Sequence, residues 1–389
     1  MTANKPHGPG GEGASNEPAE AGLSSLLRRG VKAAIARWAV RRRSEAEIWP
    51  RPQDEAPHPW DGRKHFGEDY TLAAVQPGLA LVARIEWLPG REAHRVWLMI
   101  LTPTAVYALP GSGQALLRGA GDHWRAGGLA FDCVEPLRTW TLRYRGRLEL
   151  RDPAGQRRGP VGEELPADDL EVRVDLTFVS QLPAFVPGSD DDADLVSRQV
   201  GAADWDARLL KQLRRDRLRS YVQVGEVHGA LALGSQLSTF GGAGLRQHSW
   251  GVRDWGASDP AMQCFVSMSG AQGPVRAWVH SAQFPWIHLA GGFVQRAAGL
   301  VPIRDLGVSP TRRPGRSPSH VGLHIDAPGG ALELEAESLA ELALDMDGRG
   351  RVEFSLCRVR QRHAEDHAAG WALLIGQRRL LPRSGGAPP

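Results

Sequence analysis

The fold of this chain is indicated most clearly by the stretch Gly241-Gly-Ala-Gly-Leu-Arg-Gln-His-Ser-Trp-Gly-Val-Arg-Asp-Trp255. Successive side chains of a β-strand point to opposite faces, so a strand here would place Arg246, His248 and Trp250 on one face. Gly251 then permits a bulge or a tight bend. The pattern predicts a strand that carries a cation, a titratable imidazole and an indole along one wall.

The rest of the sequence is typical of a turn-rich β protein. Of 389 residues, 46 are Gly and 28 are Pro, and 13 Trp stand against 4 Tyr. Short alternating runs, such as residues 170–179, follow one another with turn residues between them and no helical crossovers. This favours antiparallel barrels or sandwiches, and the length allows two of them. We therefore predict a mainly β fold with two tandem antiparallel β domains.

Composition divides the chain into six segments, and the terminal ones are rich in Gly, Pro and polar residues. The predicted segments are a disordered tail (1–20), a basic amphipathic helix (21–47), an N-terminal β domain (48–182), a linker with a short helix (183–219), a C-terminal β domain (220–381) and a disordered tail (382–389).

The predicted helix has an unusual charge pattern over residues 23–43. Apolar residues recur at helical spacing on one side, and Arg and Lys without any acid occupy the other. Such a helix is typical of one that lies on an anionic membrane surface. The alternative is that its apolar face packs on the following domain, and the sequence leaves both open.

Several function classes are disfavoured. A net charge of +3 without a recognised motif argues against a nucleic-acid partner. Cys133, Cys264 and Cys357 form no C-x-x-C pair and are expected to be reduced thiols of a cytoplasmic protein. No apolar run is long enough for a signal or a membrane span. We expect a cytoplasmic protein, with attachment to the inner face of the membrane through residues 23–43 as an option.

The opening stretch contains the parts of an acid–base site. Imidazole titrates near neutral pH, so His248 could transfer protons while Asp254 orients it. The indole of Trp250 could stabilise a carbocation formed beside it. The alternative is a buried Arg, Asp and His network that fixes a kinked strand. Downstream, Trp278 and His280 share one strand face and could join the same cavity wall.

Metal and phosphate sites are not expected. His248, His280 and His288 lack a recognisable ligand spacing. Gln247 stands where a dinucleotide-binding loop starting at Gly242 would need its third glycine. We expect no metal and no cofactor.

The central motif resembles a known family. Gly-x-Gly-x-Arg-x-His-Ser-Trp-Gly-x-Arg-Asp-Trp, from Gly242 to Trp255, is similar to the hallmark of the AttH-like superfamily, which includes carotenoid 1,2-hydratases and related fungal pericyclases. The likeness is closest to bacterial members of unknown function. Glu68-Asp-Tyr70, the hairpin over residues 84–102 and Val134-Glu-Pro-Leu-Arg-Thr-Trp140 add to it. It covers roughly residues 48–380.

Membership implies two tandem lipocalin-like domains that hold an apolar ligand in or between them. In the hydratases a His-x-Trp pair takes part in adding water to a terminal isoprenoid double bond, and that pair corresponds to His248 and Trp250. Their downstream Tyr-x-Asp pair has no literal match, since Trp278 and His280 stand at the nearest positions.

Two functions remain open. The first is a cofactor-independent hydro-lyase, like a hydratase, or an isomerase that acts on an apolar isoprenoid or polyketide-like molecule. The second is a non-catalytic lipid- or terpenoid-binding protein in which the motif is structural. The environment of His248 discriminates between them: an open apolar cavity favours catalysis, and an enclosed network favours the second. The candidate catalytic residues are His248, Trp250 and Asp254, and the candidate ligand-binding residues are Arg246, Arg253, Trp255, Trp278 and His280.

Overall fold

The computed structural model describes residues 30–34, 37, 49–119, 123–156, 169–203, 218–253, 258–270, 273–311, 318–362 and 368–380. The tails predicted at 1–20 and 382–389 lie outside these ranges. Within them the chain is mainly antiparallel β-strand. It also has the α-helix α1 (Ala193–Ala202), helical residues at 30–34 and 37, and two short 3-10 helices, Pro52–Glu55 and Pro89–Arg91.

Eleven strands form the first sheet. They are β1 (Phe66–Gln76), β2 (Leu79–Leu88), β3 (Ala93–Thr102), β4 (Ala105–Ala108), β5 (Gln114–Arg118), β6 (Arg125–Ala126), β7 (Leu129–Glu135), β8 (Thr139–Arg151), β9 (Asp169–Val179), β10 (Arg219–Leu233) and β11 (Gln236–Val252). Their order is β4-β3-β2-β1-β11-β10-β9-β8-β7-β6, with β5 beside β3, and β4 also pairs with β8. This pairing closes eight strands into a barrel.

Nine strands form the second sheet. They are β12 (Ala261–Gly270), β13 (Gly273–Gln283), β14 (His288–Arg296), β15 (Gly299–Pro302), β16 (Asp305–Thr311), β17 (His320–Asp326), β18 (Leu332–Met346), β19 (Gly350–Gln361) and β20 (Ala369–Arg379). Their order is β15-β14-β13-β12-β20-β19-β18-β17-β16, which makes a half-barrel. The predicted fold of two tandem lipocalin-like β domains is confirmed.

The domain boundary predicted at residue 220 is wrong. Strands β10 and β11, assigned from the sequence to the C-terminal domain, pair with β9 and β1 and complete the first barrel. After α1 the chain returns to the first barrel and adds two more strands to it. As a result β11 lies beside β1, although most of the first barrel separates them in sequence. The helix α1 lies between β9 and this return.

Alternating side chains supply both faces of each sheet, and four apolar cores result in the part of the chain that the structure describes, the smallest of them around Phe66, Tyr221 and Trp250. One fills the barrel and includes Leu72, Leu81 and Phe178. A second joins the outside of the barrel to the second sheet, where Trp97 meets Phe354 with ring centroids 5.6 Å apart. The third lies on the inner face of the half-barrel, where α1 packs.

Only residues 30–34 and 37 of the predicted basic helix are described, and they are helical. The Lys32 Nζ donates to the carbonyl oxygen of Ala203 at 3.1 Å, and the Arg37 guanidinium lies 2.7 Å from the Asp194 carboxylate. These contacts join the segment to α1. Its contact with a membrane stays a prediction, and no helix among the described residues has the length and apolar content to span one.

Candidate functional site

The motif strand β11 carries its polar residues into one end of the barrel. His248 pairs in register with Tyr70 on β1, and Trp250 pairs with Glu68. The side chains of Arg246, His248 and Trp250 lie on the same inward face, as the alternation predicts. The first candidate residues therefore share one site.

The N-terminal segment before β1 covers this end of the barrel. The Trp49 ring packs on the Trp250 indole at 5.6 Å between centroids, and the His58 ring stacks on the same indole at 3.8 Å with an interplanar angle of 11°. The 3-10 helix between them turns Glu55 inward. The segment thus adds an imidazole and a carboxylate to the site.

Glu68 is the centre of the hydrogen bonding. Its Oε1 lies 2.8 Å from His58 Nδ1 and 2.9 Å from His248 Nε2, and Tyr70 donates its hydroxyl to it at 3.3 Å. The backbone N–H of His58 donates to its Oε2 at 3.0 Å. Burial alone would raise the pKa of Glu68, but the hydrogen bonds from His248 and His58 outweigh it and hold the pKa below its usual value. Glu68 is therefore ionised at neutral pH.

His248 is fully enclosed behind this carboxylate. It is 0% exposed, and its ring stacks on Tyr70 with centroids 4.1 Å apart. Burial lowers its pKa and outweighs the opposing effect of Glu68. The ring is therefore neutral: Nε2 donates to the carboxylate, which can only accept, and Nδ1 accepts from the Tyr221 hydroxyl at 3.1 Å.

Arg246 forms a second buried contact deeper in the barrel. Its guanidinium donates to both carboxylate oxygens of Glu55, at 2.9 and 2.5 Å, and to the Gln223 side-chain oxygen. It also lies over the Trp140 ring at 4.8 Å. Burial lowers the pKa of Arg246, but Tyr221 and Glu55 raise it overall, so the cation persists. This ion pair fastens the N-terminal segment to the barrel.

Arg253 lies apart from these groups. Its guanidinium is 2.6 Å from the Asp69 carboxylate and 3.4 Å from that of Glu86, and it also contacts the Ser249 hydroxyl. Asp69 and Ser249 alternate with the inward residues, so this network lies on the outer face of the barrel. The structure therefore places Arg253 in a structural salt-bridge network and not beside His248.

The two downstream candidates form a separate cluster on β13. The Trp278 ring packs against Phe185 and Phe293 in the core between the sheets. Its neighbour His280 lies 5.0 Å away, centroid to centroid, with its Nε2 3.7 Å from the Asp191 carboxylate. They share one face, as predicted, but belong to a different core from Trp250. Asp254 and Trp255 lie outside the described residues.

The structure adds five residues that were not assigned to the site from the sequence: Glu55, His58, Glu68, Tyr70 and Tyr221. The run Glu68-Asp-Tyr70 belongs to the family resemblance and was the available signal. Pairing of β1 and β10 with β11 brings Glu68, Tyr70 and Tyr221 beside the motif. Glu55 and His58 come from an irregular segment, where no periodic pattern reveals the direction of a side chain.

One group of these residues could hold a metal. The ligating atoms of His58, Glu68 and His248 all lie within 4.8 Å of one another, and two imidazoles with one carboxylate suit a divalent transition metal. In the structure they hydrogen-bond directly to one another. Of the three histidines considered from the sequence, His248 belongs to this group, whereas His280 lies beside Asp191 and His288 bonds to Ser281.

The lowered pKa values predict acid sensitivity. Because His248 and Glu68 bind protons more weakly in the folded protein than in the unfolded chain, the free energy of unfolding falls as the pH falls. The contribution of His248 is complete above about pH 6.5 and is lost below it, and that of Glu68 is lost below about pH 4.3. Urea unfolding at a series of pH values measures this. The variant His248→Gln should have a flatter profile near pH 6; an unchanged profile would contradict the assignment.

The amino-acid sequence of the chain matches a known protein family. The family described as "Domain of unknown function (DUF7064)" matches residues 51–374. Among solved structures, the chain is similar to a protein assigned as AttH from Nitrosomonas europaea, at 13% identity and a TM-score of 0.46, over 85% of this chain and 97% of that one. It is also similar to kievitone hydratase from Nectria haematococca, at 10% identity and a TM-score of 0.48, over 80% and 88%.

A third similar structure is CghA with Sch210972, at 11% identity and a TM-score of 0.46, over 81% of this chain and 89% of that chain. No curated protein matches the sequence. Since the family match spans both sheets, the chain belongs to the DUF7064 family.

Proposed function

We propose that this protein is a cofactor-independent hydro-lyase or isomerase that moves a proton on an apolar isoprenoid or polyketide-like molecule. The observation that carries the proposal is the pair formed by His58 and Glu68. His58 bonds through Nδ1 to a buried, ionised carboxylate, while its side chain is 20% exposed. A carboxylate that orients an accessible imidazole is the arrangement used for general acid–base catalysis.

The roles within this site differ from the sequence-based hypothesis. His248 is fully enclosed and both of its ring nitrogens are bonded, so we assign it a positioning role behind Glu68. His58 takes the proton-transfer role, because its Nε2 has no recorded partner among the described residues. Trp250 stacks on His58 and orients its ring.

In a hydration, the imidazolium form of His58 would donate its Nε2 proton to one alkene carbon and become neutral. Water would then add its oxygen to the neighbouring carbocation, and the proton that the water releases would return to His58 Nε2. Glu68 would stabilise the imidazolium form of His58 before the donation and after the proton returns. In an isomerisation, the carbocation would instead lose a proton from an adjacent carbon to His58, which shifts the double bond.

A non-catalytic binding protein is the second candidate. The enclosure of His248 favours it, because a residue without access to a ligand cannot react with one. Two cavities of the described residues lie in the second sheet and beside α1, away from Glu68. In this case the motif would fix the barrel and the N-terminal segment.

Native mass spectrometry with organic extraction separates the two functions. We would compare the wild type, His58→Gln and a control, His324→Gln, in which the altered histidine is exposed on β17. The enzyme proposal predicts that a substrate-like molecule accumulates on His58→Gln only. The same molecule retained equally by all three proteins would contradict it and favour the binding role.

A further inference from the structure

The inner face of the second sheet lines a partly open cavity of about 270 Å³. Apolar side chains from four strands, Met262, Val308, Val321 and Leu374, form its walls. This volume is close to the lower end of the range for small-molecule sites, and walls of this kind suit the apolar body of a ligand. The cavity is distinct from the barrel interior that holds Glu68.

Polar groups face the cavity on two sides. Glu353 and Ser355 on β19 are 6% and 1% exposed, and both line it. The Glu353 carboxylate is already paired, with Arg351 at 3.3 Å and with Arg378 at 3.7 Å. No hydrogen bond of the Ser355 hydroxyl is recorded among the described residues, so it is available to a ligand.

The other side carries Ser281, whose hydroxyl lies 2.8 Å from His288 Nε2. Burial lowers the pKa of His288, which keeps the ring neutral. A hydroxyl and a neutral imidazole can donate to or accept from a ligand, but neither of them carries charge. Gln377 and Arg378 also line the cavity, and Arg378 is paired with Glu353, so the charged groups of the lining offset each other.

A glycine keeps this space open. Gly376 on β20 pairs with Glu353 and lines the cavity, and a Cβ placed there would meet no atom closer than 3.9 Å. Its φ does not lie in the left-handed region, so its backbone does not require glycine. Neither backbone strain nor crowding therefore requires glycine at position 376. A larger side chain there would instead occupy part of the cavity.

We infer that this cavity binds a neutral, apolar small molecule that carries a hydroxyl or carbonyl group. The apolar body packs between Met262 and Leu374, and the polar group bonds to Ser355 or Ser281. A carboxylate ligand would lose its hydration there without gaining an unpaired cation, because Arg378 is already paired with Glu353. The inference goes beyond the proposed function, because none of the lining residues belongs to the Glu68 site, and it stands if His58 proves not to be catalytic.

Isothermal titration calorimetry on the full chain tests the inference, with geraniol, a short isoprenoid alcohol, and geranic acid, its carboxylate counterpart, as probes. We expect geraniol to bind the wild type and geranic acid to bind it at least about tenfold more weakly. The variant Gly376→Val fills the cavity and should weaken geraniol binding by about tenfold or more. Ser355→Ala should weaken it without filling the cavity.

Gly322→Val is the matched control. Gly322 is also a strand glycine, its Cβ would make ordinary contacts at 3.6 Å with Ser309, and it alternates with the inward residues Val321 and Leu323. It should leave geraniol binding unchanged. Equal binding of geraniol by the wild type and Gly376→Val, tighter binding of geranic acid, or no binding of geraniol would each overturn the inference.

Discussion

Replacement of Arg246 by Met is expected to lower the free energy of unfolding by about 3 to 5 kcal/mol. Arg246 and Glu55 are both almost fully buried and bond through both carboxylate oxygens. Removal of the cation leaves the Glu55 carboxylate and the Gln223 side-chain oxygen without their donor, which is costly inside a barrel. Urea unfolding measures the loss.

Two controls isolate the cause. Arg143→Met removes an exposed arginine that pairs with Asp132 on the barrel surface, and it should leave the unfolding free energy unchanged within the error of the measurement. The double variant Glu55→Gln with Arg246→Met removes the stranded charge and should recover part of the loss. An effect of Arg246→Met no larger than that of Arg143→Met would contradict the buried ion pair.

Replacement of His58 by Gln is expected to lower turnover by about 100-fold or more. The substrate for this assay is the molecule recovered from the extraction experiment. The partly exposed ring leaves the folded core largely intact, so the loss should appear in kcat at nearly unchanged stability. His324→Gln should keep full turnover. If His58→Gln also kept full turnover, His58 would not be the proton-transfer group.

The strand carrying the motif was predictable because its alternation is strict. Alternation places Arg246, His248 and Trp250 on one face, whichever strands pair with β11. Their proximity therefore follows from the sequence. The mainly β fold follows in the same way from alternating runs and turn residues. Arg253 follows the same alternation: the pairing with β1 continues to Val252, so Arg253 lies with Ser249 on the outer face, where it joins Asp69.

The sequence does not indicate which distant strands pair with each other. Nothing local indicates that β11 lies beside β1, yet this contact displaces the domain boundary and delivers Glu68 to His248. His58 is still harder to assign, because its position depends on stacking against Trp250 in an irregular segment. A carboxylate beside His248 comes from Glu68, at the opposite end of the barrel sequence, while Asp254 lies outside the described residues.

The central claim is that the ionised Glu68 orients both imidazoles, and nitrogen-15 NMR of the histidine rings tests it most directly. At neutral pH we predict a proton on Nδ1 of His58 and on Nε2 of a neutral His248, with both signals altered in Glu68→Gln. Neutral histidine in water favours the Nε2 proton, so the prediction for His58 is specific. An unprotonated Nδ1 on His58, or a charged His248, would contradict the account.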